Sequence, residues 1–196
     1  MRKLLLTFFL AAIFPVAALY AQEAGFQSTA DEIVTELTRP VSRTRGFIPK
    51  GWKEKKRSIV IYEKKETETI ENIVVVSSAD NRPRVNLKIE FNFNSYIIQP
   101  ESYPLLRELG NALESENLSR RNIAINGHTD SDGTERYNLG LSLSRALAVK
   151  QYLTANFNIM PDNLRAFGYG EAMPLISNTT AANKQINRRV EIQLEK

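Results

Sequence analysis

The sequence of 196 residues contains no cysteine and a single histidine, His128. The absence of cysteine excludes disulfides, thiolate metal ligands, a cysteine nucleophile and a lipid anchor on an N-terminal cysteine. Zinc sites usually draw on several histidine or cysteine ligands. The composition therefore predicts neither a metal site nor a cofactor.

Motifs that would support catalysis are also absent. The sequence has no Gly-x-Ser-x-Gly elbow and no phosphate-binding glycine loop. His128 and Asp130 are two positions apart, but this spacing is common by chance and no serine motif accompanies it. Asp130 and Asp132 share one polar turn, without the apolar surroundings that a glycosidase acid needs. The sequence therefore predicts a protein that is not an enzyme.

One long uncharged run, Leu4–Leu19, follows Arg2 and Lys3. This layout, which ends in small residues at Ala21, is typical of a cleaved secretory signal peptide over residues 1–21. The alternative is an uncleaved membrane anchor, because the length of this run is near the lower limit of about 17 residues for a spanning helix. The predicted location is the periplasm, in possible association with the outer membrane, and export removes most access to nucleic acid.

Charge divides the rest of the chain. Residues 39–65 hold ten basic and two acidic side chains, whereas residues 82–196 hold 14 and 12. Residues 22–81 are predicted to be a basic lead-in with short local structure, namely a helix near 31–37 and strands near 59–62 and 73–76. The basic stretch is either a solvated leader or a surface for an anionic wall polymer or membrane.

Residues 82–196 carry the strong periodic signals. A first strand is predicted because apolar and polar residues alternate, with apolar side chains at Val85, Leu87, Ile89, Phe91 and Phe93. Helices are predicted over 100–116 and 135–157, with further strands at 123–125, 164–169 and 190–194 and a short helix near 181–186. The order β-α-β-α-β-β predicts an α/β (α+β) two-layer sandwich, a mixed sheet with helices packed on one face.

The long helix carries a polar stripe beside its apolar one. Asn138, Ser142 and Arg145 are spaced by four and three, so they share one side of the helix. Long helical side chains lean toward the N-terminus, so Arg145 is expected to reach Asp130 or a ligand held between them. A guanidinium binds a carboxylate through two hydrogen bonds and a carboxylate accepts an ammonium, so the pair suits a zwitterion. The alternative is a structural salt bridge beside the core.

Five motifs occur in order on these predicted elements. They are Phe91-Asn92-Phe93-Asn94, Gly127-His128-Thr129-Asp130-Ser131-Asp132-Gly133, Tyr137-Asn138-x-x-Leu141-Ser142-x-x-Arg145-Ala146, Gly168-Tyr169-Gly170-Glu171-x-x-Pro174 and Asn187-Arg188-Arg189-Val190-Glu191. The set resembles the OmpA-like C-terminal domain, the peptidoglycan-binding module of outer-membrane proteins, wall-associated lipoproteins and flagellar stators. The resemblance covers residues 82–196.

This resemblance implies non-covalent binding of peptidoglycan through the diaminopimelate of the stem peptide, gripped by Asp130 and Arg145. It implies four further ligand residues: Asn138, Phe93, Asn94 and Arg188. The parity of Arg188 with Val190 points it toward the core side, so a structural role stays open for it. The expected partners are peptidoglycan and outer-membrane or other envelope proteins. The alternative function is a protein-interaction module that keeps the same fold.

Overall fold

The computed structural model describes residues 26–40, 56–65, 68–77 and 82–195. The expected signal peptide and residues 41–55 of the basic stretch lie outside these ranges. In chain order the elements are α1 (Ala30–Thr38), β1 (Lys56–Lys65), β2 (Glu68–Ser77), β3 (Arg84–Leu87), α2 (Tyr103–Glu114), β4 (Ile123–Gly127), α3 (Glu135–Asn156), β5 (Leu164–Gly168), α4 (Ala181–Asn187) and β6 (Val190–Leu194). Among the described helices, none has the length and hydropathy needed to cross a membrane.

The strands form one mixed sheet in the order β2-β1-β5-β4-β6-β3. β4 and β5 run parallel, and the other neighbouring strands are antiparallel. Parallel strands need a crossover, and α3 supplies it between β4 and β5. The predicted α/β two-layer sandwich with a mixed sheet is therefore confirmed.

The long helix α3 begins and ends where its sequence signals place it. The hydroxyl of Thr134 caps the helix by accepting a hydrogen bond from the amide of Tyr137 at 3.3 Å. The apolar stripe of α3 is buried against the sheet, with Leu139, Leu143, Ala146, Val149 and Leu153 in the interior. The predicted helix over 135–157 is thus confirmed, and its polar stripe faces the turns that follow β4 and β5.

The first predicted strand is shorter than its alternating pattern. β3 ends at Leu87, so the expectation of a strand up to Phe93 is wrong. The amide of Glu90 donates to the hydroxyl of Ser102 at 2.7 Å, and the amide of Gln99 donates to the carbonyl of Glu90 at 2.9 Å. Residues 90–99 therefore fold back on themselves as a loop, and the side chain of Phe93 is 92% exposed.

Segments before residue 82 pack into the same unit. α1 starts with a capping box between Thr29 and Glu32, and its Ile33 and Leu37 are fully buried in the main apolar cluster. β1 joins β5 through two residue pairs, Tyr62 with Gly168 and Glu63 with Phe167. This differs from the expected lead-in with only local structure, because apolar side chains of the lead-in complete the core.

The sheet face away from the main cluster holds a polar back layer, which we define as Asn86, Asn126, Arg189, Glu191 and Gln193. Asn126 donates to Glu191 at 3.1 Å, and Arg189 Nε donates to Asn86 Oδ1 at 2.9 Å. A small apolar cluster of Ile59, Ile61, Ala124 and Phe167 lies beside it. Since successive residues of a strand face opposite sides, β4 and β6 are buried on both faces.

Candidate ligand-binding site

Two glycines at strand ends allow α3 to approach the sheet closely. A Cβ atom on Gly127 would lie 2.0 Å from the carbonyl oxygen of Ser142, and one on Gly168 would lie 2.5 Å from that of Leu139. Real Cβ atoms never tolerate such distances to backbone, so both positions need glycine. This contact places the start of α3 directly beside the turn that follows β4.

That turn is held by backbone hydrogen bonds to two other elements. The amide of His128 donates to the carbonyl of Arg189 at 3.0 Å, and the amide of Thr129 donates to that of Gly170 at 2.9 Å. The carboxylate of Asp130 then accepts the amide of Asp132 at 2.9 Å. This local bond is typical of an aspartate that initiates a turn, and it fixes the Asp130 side chain.

The polar stripe of α3 faces the turn, as its spacing predicts. Asn138 Nδ2 donates to the carbonyl of Asp130 at 3.3 Å and to Glu171 Oε2 at 2.6 Å. The hydroxyl of Ser142 accepts the amide of Gly170 at 2.9 Å. These bonds tie α3 to the turns after β4 and β5, so Asn138 orders the site rather than pointing freely into it.

Arg145 is buried to 8% exposure but has few partners. Its Nε donates to the carbonyl of Ser95 at 3.0 Å, and its guanidinium carbon lies 5.0 Å from the centre of the Phe91 ring. Among the described residues, none accepts a hydrogen bond from its Nη1 or Nη2. Burial lowers the pKa of Arg145, and the positive charge of Arg188 lowers it further. The guanidinium is therefore a buried cation with unused donors.

Asp130 is 6% exposed and pairs with a different arginine from the one expected. Its Oδ2 accepts a hydrogen bond from Arg188 Nη1, whose Nη2 donates to Gln185 Oε1. No ion pair joins Asp130 to Arg145 in the described part of the chain. The contact between Asp130 and Arg145 expected from helix geometry is therefore not formed, and a space separates the two groups.

This space is a cavity of about 390 Å³. All six residues that the sequence assigned to the site line it: Phe93, Asn94, Asp130, Asn138, Arg145 and Arg188. Phe93 and Asn94 come from the loop after β3, where Asn94 has a positive φ of 49°. The cavity thus brings together residues from the β3–α2 loop, the β4 turn, α3 and the end of α4.

His128 contributes no acid–base pair to this cavity. The side chain is buried, and its ring stacks on that of Tyr169 with centroids 5.3 Å apart. Neither ring nitrogen has a hydrogen-bond partner among the described residues. Burial lowers the pKa of His128 well below 6.5, with Arg189 and Arg84 acting in the same direction. The ring is therefore neutral at neutral pH and is not oriented by Asp130 as a catalytic histidine would be.

Several residues that support the site were not assigned to it from the sequence. Phe91 lies under Arg145, the carbonyl of Ser95 holds its Nε, Glu171 binds Asn138, and Gln185 holds Arg188. Phe91 and Glu171 belong to two of the five sequence motifs, and this membership was the sequence feature that could have assigned them to the site. Ser95 acts through its backbone carbonyl at a contact distant in sequence, which leaves no signal in the sequence. Gln185 lies three residues before Arg188, so this spacing at the end of α4 was the available signal for it.

The OmpA family matches residues 90–188, about half of the chain. Outer membrane porin F of Pseudomonas fluorescens is 38% identical over 57% of this chain and 33% of its own length. The peptidoglycan-binding protein ArfA of Mycobacterium tuberculosis is 35% identical over 53% of this chain and 31% of its own. The chain therefore spans about a third of these curated relatives.

A solved structure supports the same fold. The cell wall anchor of the T6SS from Pseudomonas aeruginosa superposes with a TM-score of 0.50 at 28% identity, covering 58% of this chain and 80% of the anchor. The family match over residues 90–188 includes most of the residues that line the cavity.

Proposed function

Because this chain belongs to the OmpA family, we propose that it binds peptidoglycan non-covalently in the cavity between the β4 turn and α3, and that it is not an enzyme. We propose further that it is exported and acts at the cell envelope, in the periplasm or at the outer membrane. Support comes from relatives whose names place them in the outer membrane or describe peptidoglycan binding.

One observation carries the proposal: two opposite charges are buried in one cavity without pairing with each other. Asp130 and Arg145 are both more than nine-tenths buried and line the same 390 Å³ space. Arg188 neutralises Asp130 in the free protein, whereas no acidic side chain among the described residues forms an ion pair with Arg145. Burying a charge without a partner of opposite sign is unfavourable, so the cavity favours a ligand whose carboxylate pairs with Arg145 and whose ammonium takes the place of Arg188 at Asp130. A free amino-acid end supplies an ammonium and a carboxylate at a fixed separation.

Arg145 is the proposed receptor of the ligand's carboxylate. Its Nε donates to the carbonyl of Ser95, and its guanidinium lies over the ring of Phe91. The Nη donors are left for a pair of hydrogen bonds to one carboxylate. The low exposure strengthens this bond because little water competes for it. Asp130 is the proposed receptor of the ammonium, through the carboxylate edge that Arg188 occupies in the free protein.

The ligand group that fits these receptors is the free amino-acid end of diaminopimelate in a stem peptide. A stem with lysine keeps the ammonium but lacks the adjacent carboxylate, so it leaves Arg145 without an anion. Asn138 is the proposed positioning residue for Asp130, since it holds that residue's carbonyl. Phe93 and Asn94 are proposed to cover the ligand from the loop.

Co-sedimentation with insoluble peptidoglycan sacculi tests the proposal. The purified protein is expected to pellet, and Asp130→Ala or Arg145→Ala is expected to weaken binding by about 30-fold, or about 2 kcal/mol, for one lost charge-assisted contact. Matched controls are Asp162→Ala and Arg107→Ala, which remove the same charges from exposed positions.

Two results would contradict the proposal. If both site variants pellet like the parent, the cavity is not the binding site. If the parent does not pellet but captures a defined envelope protein, the fold serves as a protein-interaction module instead. Circular dichroism of each variant shows whether a lost interaction reflects lost folding.

A further inference from the structure

The ionisable side chains of the cavity do not balance one another. Among its lining residues are three carboxylates and three arginines: Glu90, Asp130, Asp132, Arg145, Arg188 and Arg189. The carboxylate of Glu90 forms an ion pair with Lys88 Nζ at 3.3 Å, and that of Asp132 forms one with Lys184 Nζ at 2.6 Å. Arg189 is directed to neutral oxygens of the fold. What remains is one carboxylate, Asp130, against two arginines.

The two arginines repel each other across the cavity. Both guanidinium groups line the same cavity and carry the same charge, and after burial the charge of Arg188 is the next cause that lowers the pKa of Arg145. Arg188 reduces this repulsion by binding Asp130, and Gln185 holds it in that position. In the free protein, Arg188 therefore stands where the proposed ammonium of the ligand has to bind.

A ligand with one ammonium and one carboxylate leaves the cavity with one more positive than negative charge. Its ammonium displaces Arg188 from Asp130, and its carboxylate is taken by Arg145. Arg188 then loses its anion while its side chain, only 37% exposed, stays beside the site. A second carboxylate on the ligand restores the balance because it gives Arg188 a new partner.

We infer that Arg188 is a specificity residue: it neutralises Asp130 in the free protein and passes to a second carboxylate of the ligand when an ammonium takes its place. This inference rests on the proposed function of the cavity. It narrows the ligand class from a zwitterion to a group with two carboxylates for each ammonium.

A diaminopimelate stem offers a second carboxylate from two sources. One is the α-carboxylate of the neighbouring D-glutamate, which is free because that residue is linked through its γ-carboxyl. The other is the carboxyl of the diaminopimelate centre that belongs to the stem backbone, where the stem ends at that residue. Both carry the same charge, and amidation removes either one separately.

The test is titration calorimetry of the full chain with four synthetic tripeptide stems at moderate salt. All four keep the free amino-acid end of diaminopimelate, and they carry both, either or neither of the two further carboxylates. The affinity of the parent is expected to fall about tenfold when the carboxylate that binds Arg188 is amidated. The stem that shows this loss identifies which of the two carboxylates Arg188 binds.

Arg188→Gln is expected to bind all four stems alike. It is also expected to bind the doubly amidated stem more tightly than the parent does, because no arginine then competes for Asp130. A merely structural arginine would not produce this gain. Arg107→Gln, which removes an exposed arginine on α2, is the matched control and is expected to keep the parent's pattern.

The outcomes separate this inference from the function on which it rests. Equal affinities of the parent for the four stems would overturn the inference and leave diaminopimelate binding intact. Equal losses for all four stems in Arg188→Gln would also overturn it. No binding of any stem by the parent would reject the proposed function itself. If Arg188→Gln does not fold, Arg188→Lys replaces it, and a preference weaker than the parent's is expected.

Discussion

The cavity brings together two arginines, Arg145 and Arg189, that are both buried but differ in their hydrogen-bond partners. Arg189 is 4% exposed and donates to Asn86 Oδ1 at 2.9 Å, to the carbonyl of Met173 at 3.1 Å and to that of Asn187 at 3.4 Å. Burial lowers the pKa of Arg189 to about 10, so it stays charged at neutral pH. Arg145, by contrast, donates only through Nε to the described residues.

This difference separates a buried charge that holds the fold from one that, under the proposed function, serves a ligand. The acceptors of Arg189 belong to β3, the end of α4 and the loop after β5, so this side chain joins three parts of the fold. The Nη donors of Arg145 have no acceptor among the described residues. Burial alone therefore does not indicate function, whereas burial with unused hydrogen-bonding capacity does.

The largest expected effect is a loss of stability when Arg189 is replaced by methionine, and the same replacement of Arg145 serves as the comparison. Arg189→Met is expected to lower the free energy of unfolding by about 3 kcal/mol, because several buried oxygens lose their donor. Arg145→Met is expected to lower it by less than about 1 kcal/mol, since one carbonyl is affected. Urea denaturation of both variants measures the difference, and equal losses would remove the distinction between the two sites.

Gly127 lies where the back layer and the cavity meet, so a change there is expected to damage both. Gly127→Ala places a Cβ 2.0 Å from the carbonyl oxygen of Ser142. The expected loss of unfolding free energy is about 2 kcal/mol, with loss of sacculus binding as α3 shifts. Gly140→Ala is the control, because a Cβ there meets no atom within 4 Å and alanine favours a helix.

His128 is expected to make stability depend on pH through the Arg189 side of the site. Its pKa is lowered well below 6.5 in the folded protein, first by burial and then by Arg189 and Arg84. Below about pH 6.5 the imidazole of the unfolded chain binds a proton, whereas that of the folded chain stays neutral. The contribution of neutral His128 to the free energy of unfolding is therefore complete above that pH and is lost on acidification. Between pH 7.5 and 5.5 the loss approaches about 1.4 kcal/mol.

Urea midpoints at pH 7.5 and 5.5 measure this effect, and His128→Gln is the control. The sequence has no other histidine, so the variant is expected to lose the part of the pH dependence that lies near pH 6. A parent and a variant with the same pH dependence would show that the imidazole is not the group responsible.

The smallest effect is expected at the ion pair between β5 and the hairpin of β1 and β2, in which Glu63 is buried and Arg165 is half-exposed. Arg165 Nη2 lies 2.6 Å from Glu63 Oε1, and the Arg165 side chain is 46% exposed. A double-mutant cycle with Glu63→Gln and Arg165→Gln is expected to give a coupling of about 0.5–1 kcal/mol that falls as salt rises. A coupling as large as the Arg189 effect would show that exposure does not set the order of these interactions.

Sequence periodicity located the long helix and its polar stripe well because both depend on local spacing, whereas Phe93, Asn94 and Arg188 were assigned to the site through the family resemblance. The stripe of Asn138, Ser142 and Arg145 lies beside the turn of Asp130, as the steps of four and three predict. The pairing of Arg188 was not predictable from strand parity. Arg188 caps α4 with ψ of 87°, so the alternation that begins at Val190 does not extend back to it.

The remaining errors have the same origin, namely contacts that are distant in sequence. The alternating pattern continues past Leu87, but Glu90 bonds to Ser102 and ends the strand. The short helix predicted over residues 31–37 looked local because its pattern does not reveal which surface it covers. Only the assembled sheet and α2 provide the apolar surface that buries Ile33 and Leu37.

The N-terminal segments also affect how the molecule behaves in a concentrated solution. Without them, β3 and β5 would be the outer strands of a four-stranded sheet, with open backbone groups that another chain could pair with. Phe26 forms a bridge to Asn86 on β3, and β1 pairs with β5. The strand that becomes outermost, β2, begins with the charged residues Glu68 and Glu71, and such charges discourage strand-to-strand aggregation. The lead-in thus covers backbone edges of β5 and β3 that would otherwise be open to pairing with another chain.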